Sequence, residues 1–280
     1  MCFGKRGIVR VFVVVFWLFL LTVCFFADVH SGLAVPENGQ VNVPFSNVAL
    51  VVDGRWSDSA EWSGAVEVEL RNELGEEAYV MLKHNDTHVF VVVDFAADYT
   101  RSTFDVAGIC LDTQNDGGDL PMEDDYLFAL LAGQAPSWVY CFRGMGRGSK
   151  PEDAWSLIFF SGAVGCAGFS TSQHEGTRDH RIYELQISFQ NWKATMSYGF
   201  YVFAFDYHSM TFLEWPYGAG GRWTQTAGSA PQYIPPSPNS WGVLEDNWVP
   251  EFSFPVLFLS VGLAVAFVSL LVGRCGFRKK

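Results

Sequence analysis

Basic residues and cysteines are scarce in this chain, and the short motifs that mark most hydrolases, nucleotide-binding proteins and zinc ribbons are missing altogether. Lys and Arg number 18 against 30 Asp and Glu, and seven of the 18 sit in the two apolar ends. Residues 35–251 keep 11 basic and 29 acidic side chains, a net charge of −18. Nucleic acid is thereby excluded as a partner, because a phosphate backbone requires a basic face. No C-x-x-C or C-x-x-C-H occurs, so zinc-ribbon and covalently attached haem readings fall away. Cys2, Cys24 and Cys275 belong to the ends, which leaves Cys110, Cys141 and Cys166. That odd set permits one internal disulfide with one free thiol, or three buried thiols. There is no H-E-x-x-H, no G-x-S-x-G and no P-loop, and an enzyme is not expected. Two weaker catalytic constellations are an acid and base drawn from Glu123, Asp124 and Asp125, and a meeting of His174, His180, Asp206 and His208. Nor is there an internal repeat or a second hydrophobic boundary to divide the middle of the chain.

What is present begins at the ends. Lys5, Arg6 and Arg10 precede an apolar run over 11–26, the order of charged and hydrophobic regions in a signal peptide. Small residues at Gly32 and Ala34 place cleavage after Ala34, giving a signal peptide over 1–34; an uncleaved anchor is the alternative. Residues 254–273 form an apolar segment close to the roughly 20 residues that cross a bilayer. A basic tail follows at 274–280, carrying Arg274, Arg278, Lys279 and Lys280. Basic flanks at the outer side of both segments put everything between them outside the cell. Pro250, Glu251 and Phe252, in the short stalk 245–253, stand directly before the apolar segment. This tripartite arrangement resembles the PEF-type C-terminal sorting signal of archaeal surface proteins, which implies an archaeosortase-type processing enzyme as a partner. Here Ser253 and Phe254 intervene before Pro255, where many such signals place proline directly.

Between the ends, 35–244, periodicity is that of strands, and the fold class expected is all-β, an antiparallel, jelly-roll-like sandwich. Strands are predicted at 48–52, 66–70, 78–84, 87–95, 106–112, 126–131, 138–142, 164–172, 182–189, 200–206 and 241–244. Asn85 and Asp86 mark a two-residue hairpin turn, and Asn85-Asp86-Thr87 is also a glycosylation sequon. Tyr183, Leu185, Ile187 and Phe189 alternate with Glu184, Gln186 and Ser188, which predicts one buried and one wet face. Residues 217–240, rich in Gly, Pro and Ser, read as irregular chain packed along the domain through Trp223 and Tyr233. The glycine-rich stretch holding Arg143, Arg147 and Lys150 lacks a following helix N-terminus and reads as a hairpin connection, not a phosphate cradle.

Several of these segments together resemble family 9 carbohydrate-binding modules and the wider sandwich superfamily that includes DOMON-like and ethylbenzene-dehydrogenase-type haem domains. The matching residues are Val52-Asp53-Gly54 with Trp56 and Trp62, the hairpin at Asn85-Asp86, and the stretch 108–118 followed by Asp124-Asp125-Tyr126. Tyr183 to Ile187, Trp215-Pro216 and Trp241-Gly242 complete the set. The resemblance implies a β-sandwich that binds glycan, with Trp62 and Trp241 in the core. The haem branch is the first rival and would need axial ligands, for which Met81, Met145, Met196 and Met210 stand in no assignable pattern. A structural or adhesive envelope protein is the second. Exposed aromatic rings offer platforms to the apolar faces of sugars, and Tyr99, Trp138, Trp155, Trp192 and Trp223 lie at strand ends or in loops. Asp112, Gln114 and Asp116 at alternate positions, Gly117 at a turn and Glu123 eleven residues after Asp112 nearly match a calcium-loop spacing, with Asp119, Asp124 and Asp125 adding carboxylate. The competing reading is a solvated acidic hairpin loop.

Overall fold

A computed structural model describes residues 39–246, apart from 49, 58–59, 134–137, 190–196 and 226–231. The expected signal peptide, membrane segment and basic tail lie outside these residues, as do Trp192 and the expected stalk from 247 onward with Pro250, Glu251 and Phe252; Glu245 and Asp246, assigned to the stalk, instead end the last strand. Residues 35–247 form one compact unit. Among the described residues no helix is long and apolar enough to cross a membrane.

Strand formation follows the apolar alternation. In chain order the strands are β1 (Gln40–Val43), β2 (Val66–Arg71), β3 (Glu77–His84), β4 (His88–Phe95), β5 (Val106–Asp112), β6 (Asp125–Leu131), β7 (Val139–Gly144) and β8 (Trp155–Ile158). They continue with β9 (Ala163–Ser170), β10 (His180–Ser188), β11 (Ser197–Asp206), β12 (Thr211–Trp215), β13 (Arg222–Thr224), β14 (Gln232–Ile234) and β15 (Gly242–Asp246). The β3–β4 hairpin turns where expected, because the Asn85 side-chain oxygen accepts the Thr87 and His88 N–H groups at 2.9 and 2.8 Å.

Hydrogen bonding runs β8-β7-β6-β5-β11-β12-β2-β3-β4-β10-β9, with β15 also on β11 and β1 parallel to β15. A single pair, Glu214 with Arg71, joins β12 to β2. At this corner the path folds into two leaves, and one core of Val, Leu, Ile and Phe fills the space between them. The far ends of the path meet again, since a Cβ at Gly165 of β9 would lie 2.8 Å from the Val139 side chain of β7. The result is an antiparallel, sandwich-like, all-β domain.

Both leaves are also covered on their outer faces, and this corrects two expectations. Val48 and Leu50 to Val52 form no strand. Leu50, Trp56 and Ala65 instead pack over Met81, Phe90, Val92 and Ile182, with Trp62 buried at the contact. The polar side of β10 is therefore not wet: Glu184 and Ser188 are buried along with Tyr183, Leu185 and Ile187. Glu184 Oε2 accepts the backbone N–H groups of Asp53 and Gly54, each at 2.8 Å. Gly54 permits the approach, having φ of 74° and no room for a Cβ, which would stand 2.8 Å from the Ala167 backbone. Lys83, buried beneath the same cover, donates to the Glu61 carbonyl. On the other leaf, Ala219, Trp223 and Tyr233 pack along Tyr201, Phe203 and Phe205 as expected, with Trp241 buried, but the segment is not irregular throughout: β13 pairs antiparallel with β14.

Burial pushes the Glu184 carboxyl up to about 7. A raised carboxyl favours the folded state while protonated, so its contribution is present below the ordinary carboxylate range and is lost as pH rises from about 4 to about 7. Glu184→Gln is expected to shrink the fall in melting temperature between pH 5 and pH 8; thermal melts at both values check this, and an unchanged difference would contradict it.

Candidate functional site

Strands β7 and β8 form an open ladder at one end of the sheet path, and their alternation sorts the side chains by face. Cys141 of β7 is paired with Ile158 of β8, and Phe142 with Leu157. Val139, Cys141, Ile158 and Phe160 turn toward the main core. The opposite face carries Trp138, Tyr140 and Phe142 along β7, and Trp155, Leu157 and Phe159 along β8 and its continuation. Tyr140, Phe142 and Trp155 are half-buried, anchored against the cluster outside β5, β6 and β11. The other three project outward: Trp138 is 64% exposed, Leu157 61% and Phe159 91%. Extending the ladder by one residue sets Phe159 across from Tyr140. The outcome is one continuous apolar face, rigid at the Trp155 end and open to solvent at the Trp138 and Phe159 end. At the Trp155 end Glu152 sits 3.4 Å from Arg222 and 3.7 Å from Lys150, a charged rim beside the apolar surface.

Of the rings proposed as platforms, this face unites Trp138 and Trp155. Trp223 is elsewhere occupied, packed on Phe205 at 5.0 Å between ring centres. Tyr99, on the connection from β4 to β5, has the Arg178 guanidinium over its ring at 3.8 Å. Tyr140, Phe142, Leu157 and Phe159 escaped the sequence reading, because only the β7–β8 register shows that they share a face.

The acidic loop is built differently from its spacing. Asp112 turns inward, its carboxylate accepting the N–H groups of Gln114, Asn115 and Gly117 at 3.0, 2.6 and 2.8 Å. Gln114 and Asp116 are exposed, and Glu123 reaches outward to Arg143 at 3.5 Å. The carboxylates that converge are Asp112, Asp124 and Asp125, with oxygens within 4.8 Å of one another. Burial, reinforced by the neighbouring acids, pushes Asp125 up to about 8.

A second polar cluster joins residues that the sequence left scattered. Asp94 is fully buried and accepts from His174 Nδ1 at 2.7 Å and His180 Nε2 at 2.6 Å. The predicted meeting of these histidines with Asp206 and His208 does not occur: Asp206 caps its own turn, accepting the His208 N–H at 2.8 Å. Beside it Arg181 lies among Asp98, Asp105 and the backbone carbonyls of Thr100 and Ser102. Cys110 and Cys141 are buried thiols, not joined to one another, and burial pushes Cys141 up to about 12.

No family model matches the chain, and no curated protein matches it in sequence. Among solved structures it is similar to a family 9 carbohydrate-binding module from Caldicellulosiruptor kristjanssonii in complex with cellotriose. The identity is 12%, with 76% of this chain and 96% of that chain covered and a TM-score of 0.46. A family 9 module from the same organism in complex with glucose gives 12% identity, coverage of 74% and 95%, and a TM-score of 0.44. What this chain can bind is decided by its own side chains.

Proposed function

We propose that this protein is a non-catalytic carbohydrate-binding module, held at the cell surface by its C-terminal apolar segment and binding glycan on the outer face of β7 and β8. The exposure of Trp138, Leu157 and Phe159 on one face of a single ladder carries the reading. The apolar face of a pyranose ring packs on such a surface, and an oligosaccharide running along the ladder would bring the hydroxyls of its further rings to the Glu152, Lys150 and Arg222 rim at the Trp155 end. Half-burial of Tyr140, Phe142 and Trp155 holds the platform in place before ligand arrives, which lowers the ordering cost of binding. The surface location rests on the signal peptide over 1–34, the anchor over 254–273 and the basic tail over 274–280; the Pro250-Glu251-Phe252 motif would direct processing.

The full chain, purified in detergent, tests this on an array of soluble and insoluble glycans, with its absorption spectrum recorded first. Saturable glycan binding by a colourless protein is the expected result. A Soret band would move the assignment to the haem branch, and silence on the array together with crosslinks to surface-layer protein alone would replace it with an adhesive role.

A further inference from the structure

We propose that Asn85, in the turn of the β3–β4 hairpin, is the covalent attachment site of an N-linked oligosaccharide, an inference that rests on the surface location proposed above and not on the glycan-binding face. Asn85 is the only asparagine in the chain with Ser or Thr two residues further on. It is partly exposed, and Asp86 beside it is exposed. The fold uses one half of its side chain and leaves the other. Oδ1 accepts the Thr87 N–H at 2.9 Å, the His88 N–H at 2.8 Å and the Thr87 hydroxyl at 3.1 Å. Two backbone donors on one atom fix which end of the amide is the oxygen. Nδ2 donates to none of the described residues. Asn72, Asn115 and Asn239 differ, their Nδ2 atoms donating to Glu76 at 2.7 Å, Ser197 at 3.1 Å and Asp119 at 3.0 Å.

Attachment through the nitrogen leaves the contacts of the turn in place. In the transfer, Nδ2 attacks the anomeric carbon of a lipid-phosphate-linked oligosaccharide. The N–C bond forms, the anomeric C–O bond to the phosphate breaks, the lipid phosphate leaves with that electron pair, and the amide nitrogen gives up one proton to solvent. The product is still a planar amide, so Oδ1 continues to accept from Thr87 and His88. Beside the turn lies a surface for the first sugar. Phe45 bridges to His84, the residue before Asn85, and is 48% exposed, and Val48 on the same stretch is 52% exposed. The apolar face of a pyranose ring laid over Phe45 would cover surface that the chain itself leaves open.

Full chain isolated from the cells that make it, digested and analysed by peptide mass spectrometry, tests the site. The peptide holding Asn85 is expected to carry a mass increment of whole sugar units, and Asn85→Gln to carry none. Because glutamine also removes the cap of the turn, Thr87→Ala is the second variant. It keeps the Asn85 contacts to both backbone donors and should lose the sugar completely, whereas Thr87→Ser should retain it. Labelling of intact cells with an amine reagent that cannot cross the membrane reports separately whether the chain stands at the surface. Bare Asn85 on labelled chain would overturn the modification alone. Bare Asn85 on chain that the label never reaches would overturn it together with the surface location, and sugar retained by Thr87→Ala would also overturn the site.

Discussion

Arg181→Met is expected to remove roughly 3–5 kcal/mol of stability, the cost of stripping the partner from buried charge. The residue is the cation of a buried acidic group: its Nη2 donates to Asp105 at 2.9 Å and its Nε lies 3.7 Å from Asp98. The guanidinium also lies over the Phe169 ring at 4.3 Å. Methionine keeps that apolar contact and deletes the charge, which isolates the electrostatic part of the loss. Burial and the neighbouring Asp105 push Asp98 up to about 7. Protonated at low pH, Asp98 needs a cation less, so the loss should be smaller at pH 5 than at pH 8. Denaturant unfolding at both values measures it, and a loss that does not grow with pH would contradict the charge-pairing account.

Asp94→Ala should cost a comparable amount, because the carboxylate serves two imidazoles at once. His180 donates to Asp94 through Nε2 while its Nδ1 faces the Arg178 carbonyl at 3.0 Å. Both partners are acceptors, so the geometry asks for a doubly protonated ring. His174 is placed similarly, with Glu67 Oε2 3.1 Å from its Nε2 and its ring stacked on Tyr79. Desolvation works against the charged rings, but the Asp94 hydrogen bonds win and both histidines are raised above their ordinary value. A raised histidine stabilises fully below about 6.5, and the contribution is lost as pH rises through its folded value. Asp94 is lowered, so its own contribution holds above the ordinary carboxylate range and fails only in acid. The expected result is a variant far less stable than wild type at pH 6, with the gap narrowing above neutrality. A gap independent of pH would mean that the imidazoles are neutral.

The sequence showed the strands well where alternation and turn chemistry agree, as at β3 and β4, where apolar runs flank Asn85 and Asp86. It misled at 48–52, because a short apolar run looks the same whether it pairs as a strand or lies across a sheet. The wet face predicted for β10 failed for a related reason: alternation reports side-chain direction, and only the cover over Glu184 shows that both directions are enclosed. The short β8 went unseen, with four residues following a glycine-rich, charged connection. For the site, Trp138 and Trp155 were visible as aromatics at strand ends. Their companions were not, since shared faces depend on register. In the acidic loop the spacing rule chose Gln114 and Glu123, whereas cross-strand pairing brings Asp125 to Asp112.

The measurement that bears most directly on the binding face is the isotherm of the best array glycan on wild-type chain against Phe159→Ala and Trp138→Ala. At 91% and 64% exposure, neither ring is part of the core, and melting temperatures should barely move. Anchoring aromatics of this kind contribute about 2 kcal/mol or more when central to an interface. Each variant is therefore expected to bind at least tenfold more weakly while folding normally. Wild-type affinity in both variants would contradict a glycan site on the outer face of β7 and β8.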